Sequence, residues 1–232
     1  MPMKGSGETP EWQEIDRFDG GTGWIAYPDE GMQRASHALV ANDDGDGEAD
    51  VWLVDPVDVP DLDSLLAGLG TVRGVVLLLD RHRRDGAAIA NRHDVSVWLP
   101  RFFDGVAEDL DAPVELFRHD LADSGFTVHE VVDSRFWQEA FLYDRDRGIL
   151  VVPEAVGTGD YLLAGDERLG VHPMLRLKPP SGLTRLNPEH ILVGHGRGVH
   201  EDATAALEDA IRGSQSRTPA LVVKNIRKIL PL

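Results

Sequence analysis

The sequence predicts a mixed α/β protein in which β-sheet is sandwiched by helices. Three observations carry this. "RGVVLLL" (73–79) is an uninterrupted apolar run of strand length, followed by the small-residue helical stretch "GAAIANRH" and a second β-rich run, "VSVWLP". Further strand-like segments then follow one another with turn residues between them, and an amphipathic helix comes last. The strand–turn–helix units end in charged loops, where α/β proteins keep their chemistry.

Taken in order, "SHALVANDDGDGEADVWLVDP" (36–56) reads as a β-hairpin around a Gly and Asp turn. Asn42, Asp44, Asp46 and Gly47 imitate a calcium loop, but the place of its bidentate acid falls at Leu53, so a solvated turn is expected. "DVPDLDSLLAGLG" offers a short helix with Leu62, Leu65, Leu66 and Leu69 on one face, stopped by Gly70. The βαβ unit over 73–100 makes its two strands parallel, and Pro100 closes the second. "PVELF", "FTVHEVV", "EAFLYD", "GILVVP" and "HILVGHG" are strands. A helix from about Asp202 buries Ala203, Ala206, Leu207, Ala210 and Ile211 and ends before Gly213, and the tail "TPALVVKNIRKILPL" forms a last amphipathic helix. Residues 1–35 are read as an N-terminal extension with first strands, 36–213 as the main domain, and 214–232 as a C-terminal helix packed on it.

Composition narrows the function classes. With 232 residues, 42% of them hydrophobic, the chain can bury one substantial core. Without cysteine it has no disulfides, thiolate catalysis or Cys-ligated metal, so any ion needs His and carboxylate ligands. No apolar run reaches the roughly 18 residues of a membrane span, and a cytoplasmic location is expected. Forty acidic residues face 23 basic ones, giving a net charge of −17, and only Lys4, Lys178, Lys224 and Lys228 are lysines. Such a surface is of the halophilic type and argues against nucleic acid as a partner, because phosphate binding wants the opposite sign. There is no GxSxG elbow, P-loop or GxGxxG.

The chemistry-bearing stretch is "DRHRRD" (80–85), set where an apolar strand stops. Two others join it: "ILVVPEAVGTG", and "NPEHILVGHGRGVHEDATAALEDAI" with its Gly-His-Gly turn. In this order and spacing the three resemble the metallo-β-lactamase superfamily, whose HxHxDH motif stands where "DRHRRD" is. The hairpin ending in "LVDP" is similar to that family's opening strands. The resemblance covers most of residues 36–213 and implies a single-domain αββα sandwich with a metal-dependent hydrolytic site at one edge of two sheets.

The metal motif is largely rewritten. Asp80 stands at the first histidine place, His82 keeps the second, Arg84 replaces the aspartate and Asp85 the last histidine. Arg135 or Phe136 occupies the place of the mid-chain histidine, Glu154 that of the bridging aspartate, and His195 matches the late histidine. Two readings follow. In one, Asp80, His82, Glu154 and His195 bind at most one divalent ion such as zinc, Asp85 serves as a ligand or general base, and the chain hydrolyses an ester, amide or phosphoester. In the other there is no metal. A guanidinium about 4 Å from a divalent ion opposes it by about 8 kcal/mol at an effective dielectric near 20, against the roughly 10–16 kcal/mol of a good structural zinc site. Arg84, helped by Arg81 or Arg135, then replaces the cation and pairs with Asp80, Asp85 and Glu154. The pocket then becomes non-catalytic, and it either binds an anionic small molecule as partner or simply stabilises the fold. Asp55 in "LVDP" is expected to support the loop by hydrogen bonds.

Elsewhere, Arg81 and Arg83 alternate with His82 and are expected to point into solvent. His37, His93, His119, His129, His190 and His200 read as surface or packing residues, with His172 in "GVHPM" set apart for scrutiny. Phe136, Trp137 and Tyr143 read as core or pocket wall.

Overall fold

The computed structural model describes residue 4 and residues 11–42, 48–103 and 105–229, with side chains as far as 227. Strands β1 (Gln13–Phe18), β2 (Gly21–Ile25), β3 (Ala35–Ala41), β4 (Asp50–Val54), β5 (Thr71–Val76), β6 (Val97–Pro100) and β7 (Val114–Phe117) form a seven-stranded sheet in sequence order. Neighbours from β1 to β4 are antiparallel, and those from β4 to β7 are parallel. The parallel half is wound by helices α1 (Leu62–Ala67), between β4 and β5, and α2 (Gly86–Arg92), between β5 and β6.

A second sheet has the order β13-β10-β9-β8, from β8 (Thr127–Ser134), β9 (Trp137–Asp144), β10 (Ile149–Val152) and β13 (His190–Val193), with β10 and β13 parallel. β11 (Val156–Gly157) and β12 (Gly170–Val171) make a small ribbon, and α3 (Ala203–Ile229) closes the chain. The expected hairpin is the β3–β4 pair, in which His37 lies opposite Val54. Its tip, residues 43–47, where the calcium-loop imitation falls, lies outside the described residues.

Alternation along the second sheet fixes the layers. Ala140, Leu142, Ile149, Val151 and Leu192 join the core that holds Leu39, Leu53, Val75 and Leu99 of the first sheet together with Leu62, Leu66, Ile89 and Ala90 of α1 and α2. Their neighbours Phe141, Tyr143, Leu150, Val152, Ile191 and Val193 face the other way, onto Ala203, Ala206, Leu207, Ala210 and Ile211 of α3. The order is helices, sheet, sheet, helix: an αββα sandwich. Because the second sheet is covered on both faces, its strands read as nearly unbroken apolar runs.

Two expectations are corrected. The run 73–79 is not one strand, because pairing with β6 stops at Val76. Leu77, Leu78 and Leu79 stay fully buried while the chain crosses to the second sheet: the Leu78 carbonyl accepts the Ala140 N–H at 2.8 Å, and the Asp80 N–H donates to the Gln138 carbonyl at 3.0 Å. Nor does Gly213 end the last helix, which runs on to Ile229 with Pro219 inside it. The Ser214 hydroxyl donates to the Arg176 carbonyl at 3.1 Å, and Arg217 pairs with Asp209. Farther along, Lys224 reaches the Leu163 carbonyl at 2.8 Å. Tertiary contacts carry the helix past two residues that discourage it.

One of those contacts is a fully buried ion pair. Arg176 binds Glu167 at 2.6 and 3.1 Å and also donates to the carbonyls of Leu162 and Val171. Removing one partner of such a pair leaves a buried charge uncompensated. Glu167→Ala is expected to lower unfolding stability by about 3–5 kcal/mol in urea titration, whereas Glu208→Ala, from the exposed Arg212 pair, shifts it by less than about 1 kcal/mol.

Candidate metal centre at the junction of the two sheets

The parallel strands of each sheet deliver their carboxyl ends to one place. Asp55 follows β4, the 80–85 loop follows β5, Glu154 follows β10 and His195 follows β13. Asp55 and Arg84 both sit in the left-handed region, at φ 44, and the hydrogen bonds around them hold those turns.

His82, Glu154 and His195, all buried, each bring one ligand atom to within 4.8 Å of the others. The His82 and His195 rings meet edge-on with centroids 5.4 Å apart. His82 Nδ1 lies 3.0 Å from Asp55 Oδ2, and His195 Nδ1 lies 2.9 Å from the Met32 carbonyl. Burial, then the nearby Arg84, holds the His82 pKa well below its ordinary value; for His195 the cause is burial, then His82. Both imidazoles are therefore neutral, each donates through Nδ1, and each keeps a bare Nε2. Asp55 accepts the His82 proton as a carboxylate, so this contact is a charge-assisted hydrogen bond. Burial raises the Asp55 pKa to about 6, despite Arg84 nearby and the Leu78 N–H on its Oδ1 at 3.0 Å. His195 Nε2 is buried with no hydrogen-bond partner among the described residues.

The arginines are arranged otherwise than expected. Arg84 forms no ion pair with Asp80, Asp85 or Glu154. Its guanidinium donates to the carbonyls of Asp55 (2.7 Å), Gly194 (3.2 Å) and Ala35, stitching the ends of β4 and β13 to the start of β3. Burial lowers its pKa to about 10. Arg81 does not point away into solvent: it binds Glu154 Oε2 at 3.0 Å, reaches Asp80 Oδ1 at 3.4 Å and lies 4.7 Å from the Trp137 ring centroid. Arg83 pairs with Asp109 at the surface.

Two predicted residues serve the backbone. Asp80 Oδ2 accepts the Gln138 N–H at 3.0 Å, which fixes the crossing between the sheets. Asp85 Oδ2 accepts the Asp58 N–H at 2.8 Å, at the start of α2. Neither belongs to the three-residue group. Arg135 lies at the β8–β9 tip over Phe136, which is 85% exposed and so not core, but part of a pocket wall. Trp137 and Tyr143 are buried. Arg81, Arg83 and Arg135 line a cavity of about 820 Å³ beside the site, with Asp80 and Asp133.

Three further groups were not legible as site residues. Glu139, fully buried inside β9, accepts the N–H groups of Glu154 (2.9 Å) and Ala155 (2.7 Å) and the Trp137 indole (2.8 Å), and so positions Glu154; burial pushes its pKa up to about 8. His172, which the sequence reading set apart, stands edge-on to Trp137 with Nε2 3.6 Å from Glu154 Oε1. Burial lowers its pKa to about 4. Tyr161 sets its ring edge-on to His195 at 5.8 Å, and its buried hydroxyl has no partner among the described residues. Burial, then Glu154, raises its pKa and keeps it a protonated donor.

If Arg84 is a strut and not a counter-ion, Arg84→Met strands three carbonyls and lowers stability by about 2–4 kcal/mol in chemical denaturation. The control Arg83→Met stays within about 1 kcal/mol.

No family model matches the sequence, and no curated protein matches it. Solved structures do. The crystal structure of the DIM-1 metallo-β-lactamase superposes with a TM-score of 0.62 at 16% identity, over 91% of this chain and 99% of that one. The metallo-β-lactamase from Pontibacter korlensis gives 0.60 at 13% identity, over 87% and 99%. Rubredoxin oxygen:oxidoreductase from Desulfovibrio gigas gives 0.60 at 16% identity, over 88% of this chain and 61% of that one. The layered sheets, the strand ends that gather at one edge and these superpositions together give the chain the fold of the metallo-β-lactamase superfamily.

Proposed function

We propose that the chain is a strongly diverged, single-metal hydrolase relative in which His82, Glu154 and His195 hold one divalent ion. The observation that carries this reading is the buried His195 Nε2, which lacks a partner and sits in the same 4.8 Å group as a second bare imidazole nitrogen and a carboxylate. A buried acceptor left unpaired costs about 1–3 kcal/mol, so its retention calls for a ligand. The donor chemistry fits: two neutral imidazoles, each with its other nitrogen fixed, plus one carboxylate make a His₂Glu set with room for a further ligand.

When bound, such an ion acidifies water and polarises an ester, amide or phosphoryl oxygen. The chain's own residues do the rest. Asp55 fixes the His82 tautomer, the Met32 carbonyl fixes that of His195, and Glu139 holds the backbone that presents Glu154. Arg81 occupies one oxygen of Glu154 and leaves the other available. Tyr161, un-ionised, has a hydroxyl free to donate to developing negative charge.

A second reading has its own support. The Arg81–Glu154 pair satisfies the carboxylate without a metal, and the arginine-lined cavity beside it suits an anionic small molecule. Elemental analysis of purified protein separates the two. One ion per chain is expected, lost in His82→Ala and in His195→Ala, with chelator lowering the melting temperature of the wild type. Asp55→Asn is expected to weaken metal affinity about 10–100-fold with the ligands intact. Metal-free wild type whose melting is indifferent to added zinc, manganese or iron would sink the proposal and leave the anion-binding reading.

A further inference from the structure

A second cavity, which shares no lining residue with the His82–Glu154–His195 group, lies at the carboxyl ends of the outer parallel strands. Pro100 of β6 pairs with Phe117 of β7 as the last step of the ladder, closed by the Arg101 N–H, which donates to the Phe117 carbonyl at 2.9 Å. Arg101 and Arg118 are the residues that follow these two strand ends. Both are exposed and both line one cavity of about 570 Å³. Neither guanidinium has an ion-pair partner among the described residues.

Like charges that line one cavity repel each other. The chain carries 40 acidic residues and pairs many of its arginines, so two arginines at one cavity without an ion-pair partner among the described residues suit a bound anion. The cavity is not merely basic. Phe117 and Val128, both buried, and the half-buried Phe102 form an apolar floor, and Glu130 is its one acidic lining residue. His129, stacked on Phe141 at 4.9 Å, stands at its edge beside His119. Open α/β sheets bind ligands beyond the carboxyl ends of their parallel strands, and a cavity this size suits a small molecule.

We infer that this cavity is a binding site for a small dianion carrying a flat apolar group, such as an aryl or other organic phosphate, its charge held between Arg101 and Arg118 and its apolar part laid on Phe102, Phe117 and Val128. The site is independent of the metal proposal. A net charge of −17 and the Glu130 carboxylate at its rim favour a small ligand over a polyanion.

Isothermal titration with phenyl phosphate tests it, on untreated and on chelator-treated protein. The expected result is one site per chain, unchanged by chelation, weaker at high salt, and at least about tenfold weaker in Arg101→Ala and in Arg118→Ala. Inorganic phosphate should bind more weakly than phenyl phosphate, for want of the apolar contact. Without ligand, both variants should melt at or above the wild-type temperature, because each relieves the repulsion. Four results would overturn the inference: no saturable binding, affinity indifferent to both arginines, binding lost on chelation, or a single-stranded RNA oligonucleotide outcompeting phenyl phosphate. The third would place the anion at the metal centre instead.

Discussion

Asp55 is tied at four points, and the site is built around those ties. Its N–H donates to the Val76 carbonyl at 3.0 Å, its own carbonyl accepts Arg84 and the Ser36 hydroxyl, and its carboxylate takes the Leu78 N–H on one oxygen and His82 on the other. The end of β4, the crossing segment after β5 and the candidate ligand loop are thus referred to a single side chain. A carboxylate so deeply buried is costly unless its lone pairs are met, and here both oxygens are. The same contacts decide which nitrogen of His82 is left bare, so scaffold and chemistry share one constraint.

The arginines explain how so much charge can be tolerated at a sheet junction. Arg84 spends its donors on three backbone carbonyls, Arg34 is clamped by the buried Glu30, and Arg81 covers Glu154. Each acid close to the group has a cation or an N–H nearby. Among the buried polar atoms that stay unmet at the site are the Nε2 of His195, the hydroxyl of Tyr161 and the Nε of Arg84. Polar atoms left dry and unpaired inside a well-satisfied network mark where a ligand belongs. Arg84 keeps its charge near the group while its donors brace the loops, and it does not take the ion's place by pairing with Glu154.

Much of the fold was legible because burial on both faces writes itself as unbroken apolar runs. That pattern gave the βαβ unit and the strands of the second sheet, and the αββα arrangement came from the resemblance to the metallo-β-lactamase superfamily. The strand end at Val76 was not legible, because Leu77 to Leu79 are as buried outside the ladder as inside it. The length of the last helix was hidden for the opposite reason: Gly213 and Pro219 carry local stop signals, and the Ser214 and Lys224 contacts that override them belong to distant segments. At the site, His82, Glu154 and His195 could be named, together with Asp80, through the family resemblance, and the structure groups the first three without Asp80. The partners of Arg84 could not, since backbone carbonyls leave no trace in composition. Glu139 looked like one more residue of a mixed strand, and Tyr161 like one more loop tyrosine.

Anomalous diffraction from crystals grown with zinc tests the central claim most directly. The account predicts a single peak within bonding distance of the Nε2 atoms of His82 and His195 and a carboxylate oxygen of Glu154, with the Arg84 guanidinium still on the carbonyls of Ala35, Asp55 and Gly194. A map with no peak there, or with Arg84 turned in to pair with Glu154 in the ion's place, would contradict it.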